Sequence, residues 1–417
     1  MAKKMINVWL MQEHEHLFKN TVIPEFQQQH PDIDIILTTT SWHFLWDKVV
    51  MFSKRKQGPD VLQIGSTWNG VLAEIGALKD ITENLASIGS LDIFINEAAK
   101  TCFFPGTRRV ASVPWYLDAR VLFYRQEILD IHGFTAHDLG TLEGLEKVSA
   151  AVHNFKAGDK IVPAFALAGQ KDAQLVHLLA PWIWNNGGDF MTADGKKVSF
   201  DSPAALAGLE ACFNYINTYC DKAAIMQEYE TFLESFFRKG NSCLAYTGPW
   251  VNNTYLNPKH EFYNRFSQHI ETTLMPGGPG GRFTFLGGSN LAISEFSKHP
   301  DEAWELIKFL TQLPVQEKFC GANHQLPSLA ASYKTKGVID NTPQKIFRDA
   351  VQHGRTFPNN ANWAQIEDIL IEYIHRLLVS IAEGIYTAEL MQESIQEAAA
   401  KSNALLVQEE QWRKEKN

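Results

Sequence analysis

The chain has 417 residues, 45% of them hydrophobic and 20% charged, with a net charge of −9. One hydrophobic core rarely grows past roughly 250–300 residues, so two domains are expected. The acidic balance lacks the footprint of a nucleic-acid binder, and no apolar run approaches the ~20 residues that a bilayer span requires. The five cysteines, Cys102, Cys212, Cys220, Cys243 and Cys320, include no Cys-x-x-Cys pair. That argues against a thiolate zinc site and against a disulfide framework, with a single Cys212–Cys220 bridge left open.

The start, Met1-Ala2-Lys3-Lys4, carries no signal-peptide core, so an exported form would have lost its leader already. Ile6 to Met11 read as a strand, followed by Gln12-Glu13-His14-Glu15-His16. Phe18, Val22 and Phe26 then share a helical face, with Pro24 kinking or dividing it. A second strand, Ile33 to Thr40, leads through Ser41-Trp42 into a helix bearing Leu45, Val49 and Phe52. The third, Asp60 to Ile64, ends in Gly65-Ser66-Thr67-Trp68, and Trp68, Val71, Leu72 and Ile75 continue at helical spacing up to Gly76. This alternation predicts an open, mostly parallel α/β sheet, whose ligands bind beyond the carboxyl ends of the strands. Each of those ends carries flat or hydrogen-bonding residues: Gln12, Glu13 and His14, then Trp42, then Ser66 and Thr67. Rings beside hydroxyls and carboxylates suit a sugar, which has an apolar CH face and a belt of hydroxyls. His14-Glu15-His16 lacks the spacing that places two imidazoles on one helix face, so no metal is expected.

Arg109 to Tyr116 read as a strand that Pro114-Trp115-Tyr116-Leu117-Asp118 interrupts before Val121 to Tyr124 resume it, a connection suited to leaving one domain for another. Helix is expected over Asp138 to Val152, strand over Val162 to Ala166, and helix over Gln174 to Trp184, with Trp182 on the core stripe and Trp184 undecided. Ser202-Pro203 has the chemistry of a helix start, before the stripe Leu206, Leu209, Phe213 and Ile216. A shorter helix with Phe232, Leu233, Phe236 and Phe237 leads to the strand Cys243 to Tyr246. Gly248-Pro249 then break the chain and leave Trp250 as either a stacking platform or a core plug. After a strand over Thr272 to Met275, the run Pro276 to Gly281 reads as a surface turn. Its prolines remove amides, and no Lys-Ser/Thr follows at the spacing of a phosphate loop. Phe283 to Ser294 read as strand, glycine break, strand.

Ala303, Leu306, Ile307 and Leu310 mark a helix, and Val315 to Cys320 another that Gly321 stops; the chain crosses again near Gln325-Leu326-Pro327. Helices follow over Pro343 to Val351, Trp363 to Ile381 and Ala388 to Leu406, before a mixed-charge tail from Trp412 to Lys416 that reads as a fraying helix end.

The order of these pieces resembles the extracellular solute-binding proteins of ABC sugar importers, the group that includes maltose- and trehalose-binding proteins. The resemblance spans nearly the whole chain. It rests on Gly58-Pro59-Asp60-Val61, Val113-Pro114 with Asp118, Gly248-Pro249-Trp250, Met275-Pro276-Gly277-Gly278, Gly287-Gly288 leading to Ala292-Ile293-Ser294, the helix Glu302 to Leu310, and Leu326-Pro327. It implies two α/β lobes joined by hinge crossovers, the type II periplasmic-binding-protein fold, with ligand in the cleft between them. Residues 1–112 and 288–326 would form the first lobe, and 113–287 and 327–417 the second. The resemblance places Glu13, Trp42 and the Ser66-Thr67 loop on the first wall, with Tyr116 and Asp118 binding hydroxyls. Trp250 would stack a ring, Gly288-Ser289 would meet the ligand at the glycine crossing, and Arg355 would donate to a further hydroxyl. Gln12 and His14 belong to the same first wall, and His14 and Trp42 fall where relatives vary with substrate.

The function implied is non-catalytic capture of a di- or oligosaccharide and delivery to the permease subunits of an ABC transporter. The protein would be monomeric, periplasmic or otherwise extracytoplasmic, free or lipid-anchored, without cofactor, metal or nucleic acid. Two alternatives stand beside it. A glycosidase would use Glu13 and Asp118 as a carboxylate pair. A binder of a phosphorylated polyol such as glycerol phosphate would need cations in the cleft, for which Arg120 and Arg355 are the candidates.

Overall fold

The computed structural model describes residues 3–334 and 344–416, without the side chains of His43, Gln344 and residues 412–416. The expected helix start at Pro343 and the tail side chains from Trp412 onward lie outside the described residues. The chain folds as two compact units. The first comprises Met1–Asp118, Leu286–Asn341 and Thr356–Ala364; the second comprises Ala119–Phe285, Thr342–Arg355 and Gln365–Asn417. Residues 113–118, 286–287, 327–334 and Thr356–Ala364, which the sequence assigned with the second lobe, thus pack in the first unit.

The strands in chain order are β1 (Lys4–Met11), β2 (Ile33–Thr40), β3 (Val61–Gly65), β4 (Ser112–Ala119), β5 (Val121–Arg125), β6 (Phe155–Ala157) and β7 (Lys160–Val162). They continue as β8 (Phe165–Ala166), β9 (Leu244–Thr247), β10 (Ile270–Thr273), β11 (Thr284–Ile293), β12 (Leu326–Pro327) and β13 (Gly354–Arg355).

In the first unit the order is β12-β4-β11-β3-β1-β2. The first three strands are parallel, as their alternation with helices requires, whereas β11 lies antiparallel against β3, so the sheet is mixed. Ile6, Val8 and Leu10 point to one face and are fully buried with Phe18, Val22 and Phe26. Met11 points to the other, with Leu45 and Val49 from the helix Trp42–Lys54. Burying each such side chain contributes ~1.5–3 kcal/mol. Pro24 does not break the helical run that begins at Glu15. It has no N–H to give to the Asn20 carbonyl, and the chain widens into a π turn over Phe18–Val22 immediately before it, so the helix continues through Ile23–Gln29.

The second unit is built on the sheet β10-β5-β9-β8, flanked by Gln174–Asn185 and Pro203–Tyr219. Leu175, Leu179, Trp182, Leu209, Phe213 and Ile216 are buried there, and the Ser202 hydroxyl caps its helix by accepting from Ala205 N at 3.4 Å. The glycine-rich run after β10 is a turn clasped by Asn185, whose amide donates to Pro276 O at 3.0 Å and to Phe283 O at 3.1 Å.

Several expected boundaries move, each for a local reason. β4 runs unbroken through Pro114 to Asp118, because the Ser328 hydroxyl serves the Pro114 and Trp115 carbonyls at 2.9 and 3.1 Å; the break falls at Arg120. Strand Val162–Ala166 divides at Pro163, β7 folding back on β6 and β8 joining β9. Gly140-Thr141 split the expected helix from Asp138, and Thr141 Oγ1 caps its second part by accepting from Gly144 N at 3.0 Å. The helix Leu313–Asn323 passes through Gly321 and stops at His324, which is left-handed at φ 53°. Ile75 lies past the end of Asn69–Glu74 and is exposed. Cys212 and Cys220 are both buried free thiols.

The Gly287-Gly288 pair is not a break either, since β11 is one strand from Thr284 to Ile293. Gly288 has φ +134°, and a Cβ there would lie 2.2 Å from the Tyr116 carbonyl oxygen. The glycine therefore lets β4 and β11 approach. Gly288→Ala is expected to cost ~3 kcal/mol or more, a fall of roughly 6–12 °C in the melting temperature followed by far-UV circular dichroism. A melting point within 2–3 °C of wild type would show that the strands can separate cheaply.

Candidate functional site

The parallel strands β1, β2 and β3 deliver their carboxyl ends to one edge of the first unit's sheet. β11 brings Ser289 to the same edge, opposite Gly65, and β4 brings Tyr116 to Asp118. Behind this edge lies a buried hydrogen-bond network centred on Gln63, the lone polar residue inside β3. Its Oε1 accepts from Met11 N at 2.9 Å, and its Nε2 donates to Tyr116 Oη at 2.8 Å and to Ser289 Oγ at 2.9 Å. A backbone N–H can only donate, so Met11 dictates which way the Gln63 amide points. The Tyr116 phenol, accepting from Gln63, also shares a hydrogen bond of 3.0 Å with His14 Nε2. The His14 ring lies among the rings of Trp115, Tyr116 and Phe319. Burial pushes the His14 pKa down to about 3 and holds the Tyr116 phenol well above its usual range, so both stay neutral.

This corrects three expectations. His14, Tyr116 and Ser289 are at most 3% exposed and lie one layer behind the wall, orienting it instead of displaying themselves. Gly288 is half-buried, its backbone held against β4.

In front lie the exposed Gln12 and Glu13, on the turn Gln12–His14, and Trp42, together with the half-buried Ser66, Thr67 and Asp118. Trp42 begins its helix and Ser66–Trp68 form a single turn after β3. The indole N–H, the only polar group of the Trp42 side chain, donates to the Glu13 carboxylate. Desolvation nevertheless raises the Glu13 pKa above the usual carboxylate value. Trp42 and Trp68 meet edge to face at 5.5 Å and 80°, and Trp46 meets Trp68 at 5.3 Å and 61°. The sequence did not single out Gln63 or the Trp46–Trp68 contact; a glutamine inside Val-Leu-Gln-Ile was the available signal for the first. The sequence also missed the segment Thr356–Ala364, whose Asn359 lies over Gly70 and donates to Phe103 O at 2.8 Å. Trp363, at the end of that segment, is buried and stacked on Phe357 at 4.7 Å, which makes it a packing residue.

In the second unit Trp250 follows β9 and is half-buried, so the plug reading fails. Its ring lies over Gly248, where a Cβ would approach within 2.0 Å, and the Arg120 guanidinium is 4.2 Å from its centroid. Arg120 is itself 4% exposed and within 3.3 Å of His177 Nδ1. His177 stacks on Phe285 at 3.9 Å, and burial together with Arg120 holds its pKa well below 6.5. Tyr229 hydrogen-bonds to Thr247 at 2.5 Å, with its ring 6.4 Å from Trp250. Arg355 is not an open donor: its Nη2 pairs with Asp189 at 2.7 Å, and its guanidinium lies 5.0 Å from the rings of Trp184 and Phe283. Trp184, undecided from sequence, is buried and donates to Asp189 at 3.2 Å. In the sequence His14-Glu15-His16, His14 is buried while His16 is exposed, and no cluster of three or more His, Cys, Asp or Glu suited to a metal occurs among the described residues.

The neutral state of His14 has a thermodynamic consequence. Between pH 6.5 and about 3 the unfolded chain binds a proton there that the folded chain does not. The His14 contribution is therefore complete above pH 6.5 and is lost as pH falls, at up to ~1.4 kcal/mol per pH unit. His14→Gln is expected to remove roughly 2 kcal/mol from the loss of stability between pH 6.5 and 5, measured by urea unfolding. His177, His153 and His324 shift in the same direction but are common to both proteins. An unchanged pH slope would mean that His14 is solvated.

Residues 21–345 match the family described as bacterial extracellular solute-binding protein. A probable ABC transporter-binding protein of Deinococcus radiodurans is 26% identical over 330 residues, covering 76% of this chain and 75% of that one. The diacetylchitobiose binding protein DasA of Streptomyces coelicolor is 25% identical over 334 residues, covering 78% and 73%. Among solved structures, the sugar-binding protein MalE from Xanthomonas citri superposes with a TM-score of 0.82 at 22% identity, over 99% of this chain and 100% of that one. With its α/β units, mixed sheets and a match over most of its length, the chain belongs to the bacterial extracellular solute-binding protein family.

Proposed function

We propose that this protein is the substrate-binding component of an ABC importer, and that it captures a sugar of two or more rings and hands it to a membrane permease. The observation that carries the reading is the chemistry displayed at the sheet edge. An exposed indole, Trp42, stands with Glu13, Ser66, Thr67 and Asp118 in the first unit, and a second indole, Trp250, stands at a strand end in the other. Indoles take the CH face of a pyranose, and carboxylates accept from adjacent hydroxyls with charge-assisted bonds roughly twice as strong as neutral ones.

The family and the names of its relatives support transport by binding without catalysis. Family membership also implies an extracytoplasmic location, within which we propose a periplasmic monomer, free or lipid-anchored. No helix among the described residues is long and apolar enough to cross a membrane. A phosphorylated ligand is disfavoured by the two arginines it would need, since Arg120 is buried under Trp250 and Arg355 is held by Asp189.

A thermal-shift screen of mono-, di- and trisaccharides with glycerol phosphates tests this. A sugar at ~100 times its dissociation constant is expected to stabilise by ~2.7 kcal/mol, several degrees, and to be recovered intact. Trp250→Ala should weaken that sugar by roughly tenfold or more. Recovery of a cleaved sugar would replace binding with hydrolysis, and a response to phosphates alone would overturn the sugar reading.

A further inference from the structure

Among the described residues Glu13, unlike Asp189, has no charged cationic partner. Asp189 has Arg355, whereas among the described side chains the basic group within ion-pair distance of Glu13 is His14 Nε2 at 3.9 Å, which is neutral. The Glu13 side chain is 45% exposed, and the neighbour that does bond to it, the Trp42 N–H, is uncharged. Beside it, two indoles stand nearly at right angles over Gly65, where a Cβ would be 3.4 Å from both rings. Perpendicular aromatic faces with a carboxylate at their margin are the arrangement that holds an ammonium group. The ring quadrupoles attract the cation, and the carboxylate neutralises it.

We infer that the corner formed by Glu13, Trp42 and Trp68 receives a protonated amine, so that the captured sugar is an amino sugar with at least one free amino group. This rests on the sugar-binding reading and narrows it to a substrate class. A neutral hydroxyl also bonds to Glu13, but it leaves a partly desolvated negative charge uncompensated. An ammonium group supplies both the hydrogen bonds and the opposite charge. An acidic sugar is excluded from the same corner by like charge.

The test compares, by isothermal titration calorimetry at neutral pH, a glucosamine disaccharide, its N-acetylated form and the glucose disaccharide of the same linkage. The free amine is expected to bind roughly tenfold or more tightly than either neutral form, and to weaken as salt is raised. Glu13→Gln is expected to erase the preference, so that the free amine binds no more tightly than the neutral sugars, which themselves weaken for want of the carboxylate acceptor. A melting temperature unchanged from wild type verifies the fold of the variant. Equal or tighter binding of the acetylated or glucose form overturns the amine assignment and leaves the sugar reading standing. Binding of none of the three also overturns it, and the wider panel then decides the sugar reading separately. A preference that survives Glu13→Gln would place the amine elsewhere.

Discussion

The backbone N–H of Met11 can donate and do nothing else, and the layout of the first unit's binding edge follows from that constraint. It turns the Gln63 amide, which then donates to Tyr116 and Ser289, and the Tyr116 phenol in turn shares a hydrogen bond with His14. Four strands, β1, β3, β4 and β11, are thereby tied at the edge where the exposed residues begin. A buried polar network is costly when half satisfied and rigidifying when its members have partners. Here it supports Glu13, one residue from His14, on a firm base. Gly288 belongs to the same device, because only a residue without a side chain lets β11 lie this close to the Tyr116 carbonyl.

The two units handle charge in opposite ways. In the second, the arginines near the exposed aromatics are consumed internally, Arg120 against Trp250 and His177, and Arg355 against Asp189. In the first, the Glu13 carboxylate is displayed beside a backbone N–H, an indole N–H and a neutral imidazole. A displayed negative charge beside aromatic faces would favour hydroxyl-rich or cationic ligands over anions, through Coulomb interaction and ring quadrupoles. Trp250, backed by a buried guanidinium, is held at one orientation and leaves its remaining surface for contact.

The alternation of strand and helix, the family resemblance and the strand-end positions of Glu13, Trp42, Ser66, Thr67 and Trp250 were all legible in the chain, because periodicity and turn chemistry are local. Local signals also misled where a partner distant in sequence supplied the missing bond. Pro114 looked like an interruption until Ser328 took over its carbonyl, and Gly287-Gly288 looked like a break until β4 filled the space a side chain would have used. Which titratable residues display themselves and which lie behind was decided by tertiary packing alone. Glu13 and His14 are adjacent in sequence, on the turn Gln12–His14, yet one side chain is half-exposed and the other is packed among Trp115, Tyr116 and Phe319. Arg355 read as a donor until the fold brought Asp189, 166 residues away, within 2.7 Å. Sequence by itself determined the elements and the edge at which the site forms, since both depend on neighbours along the chain. The fold decided which groups keep their charge and which surrender it, since desolvation and pairing depend on neighbours in space.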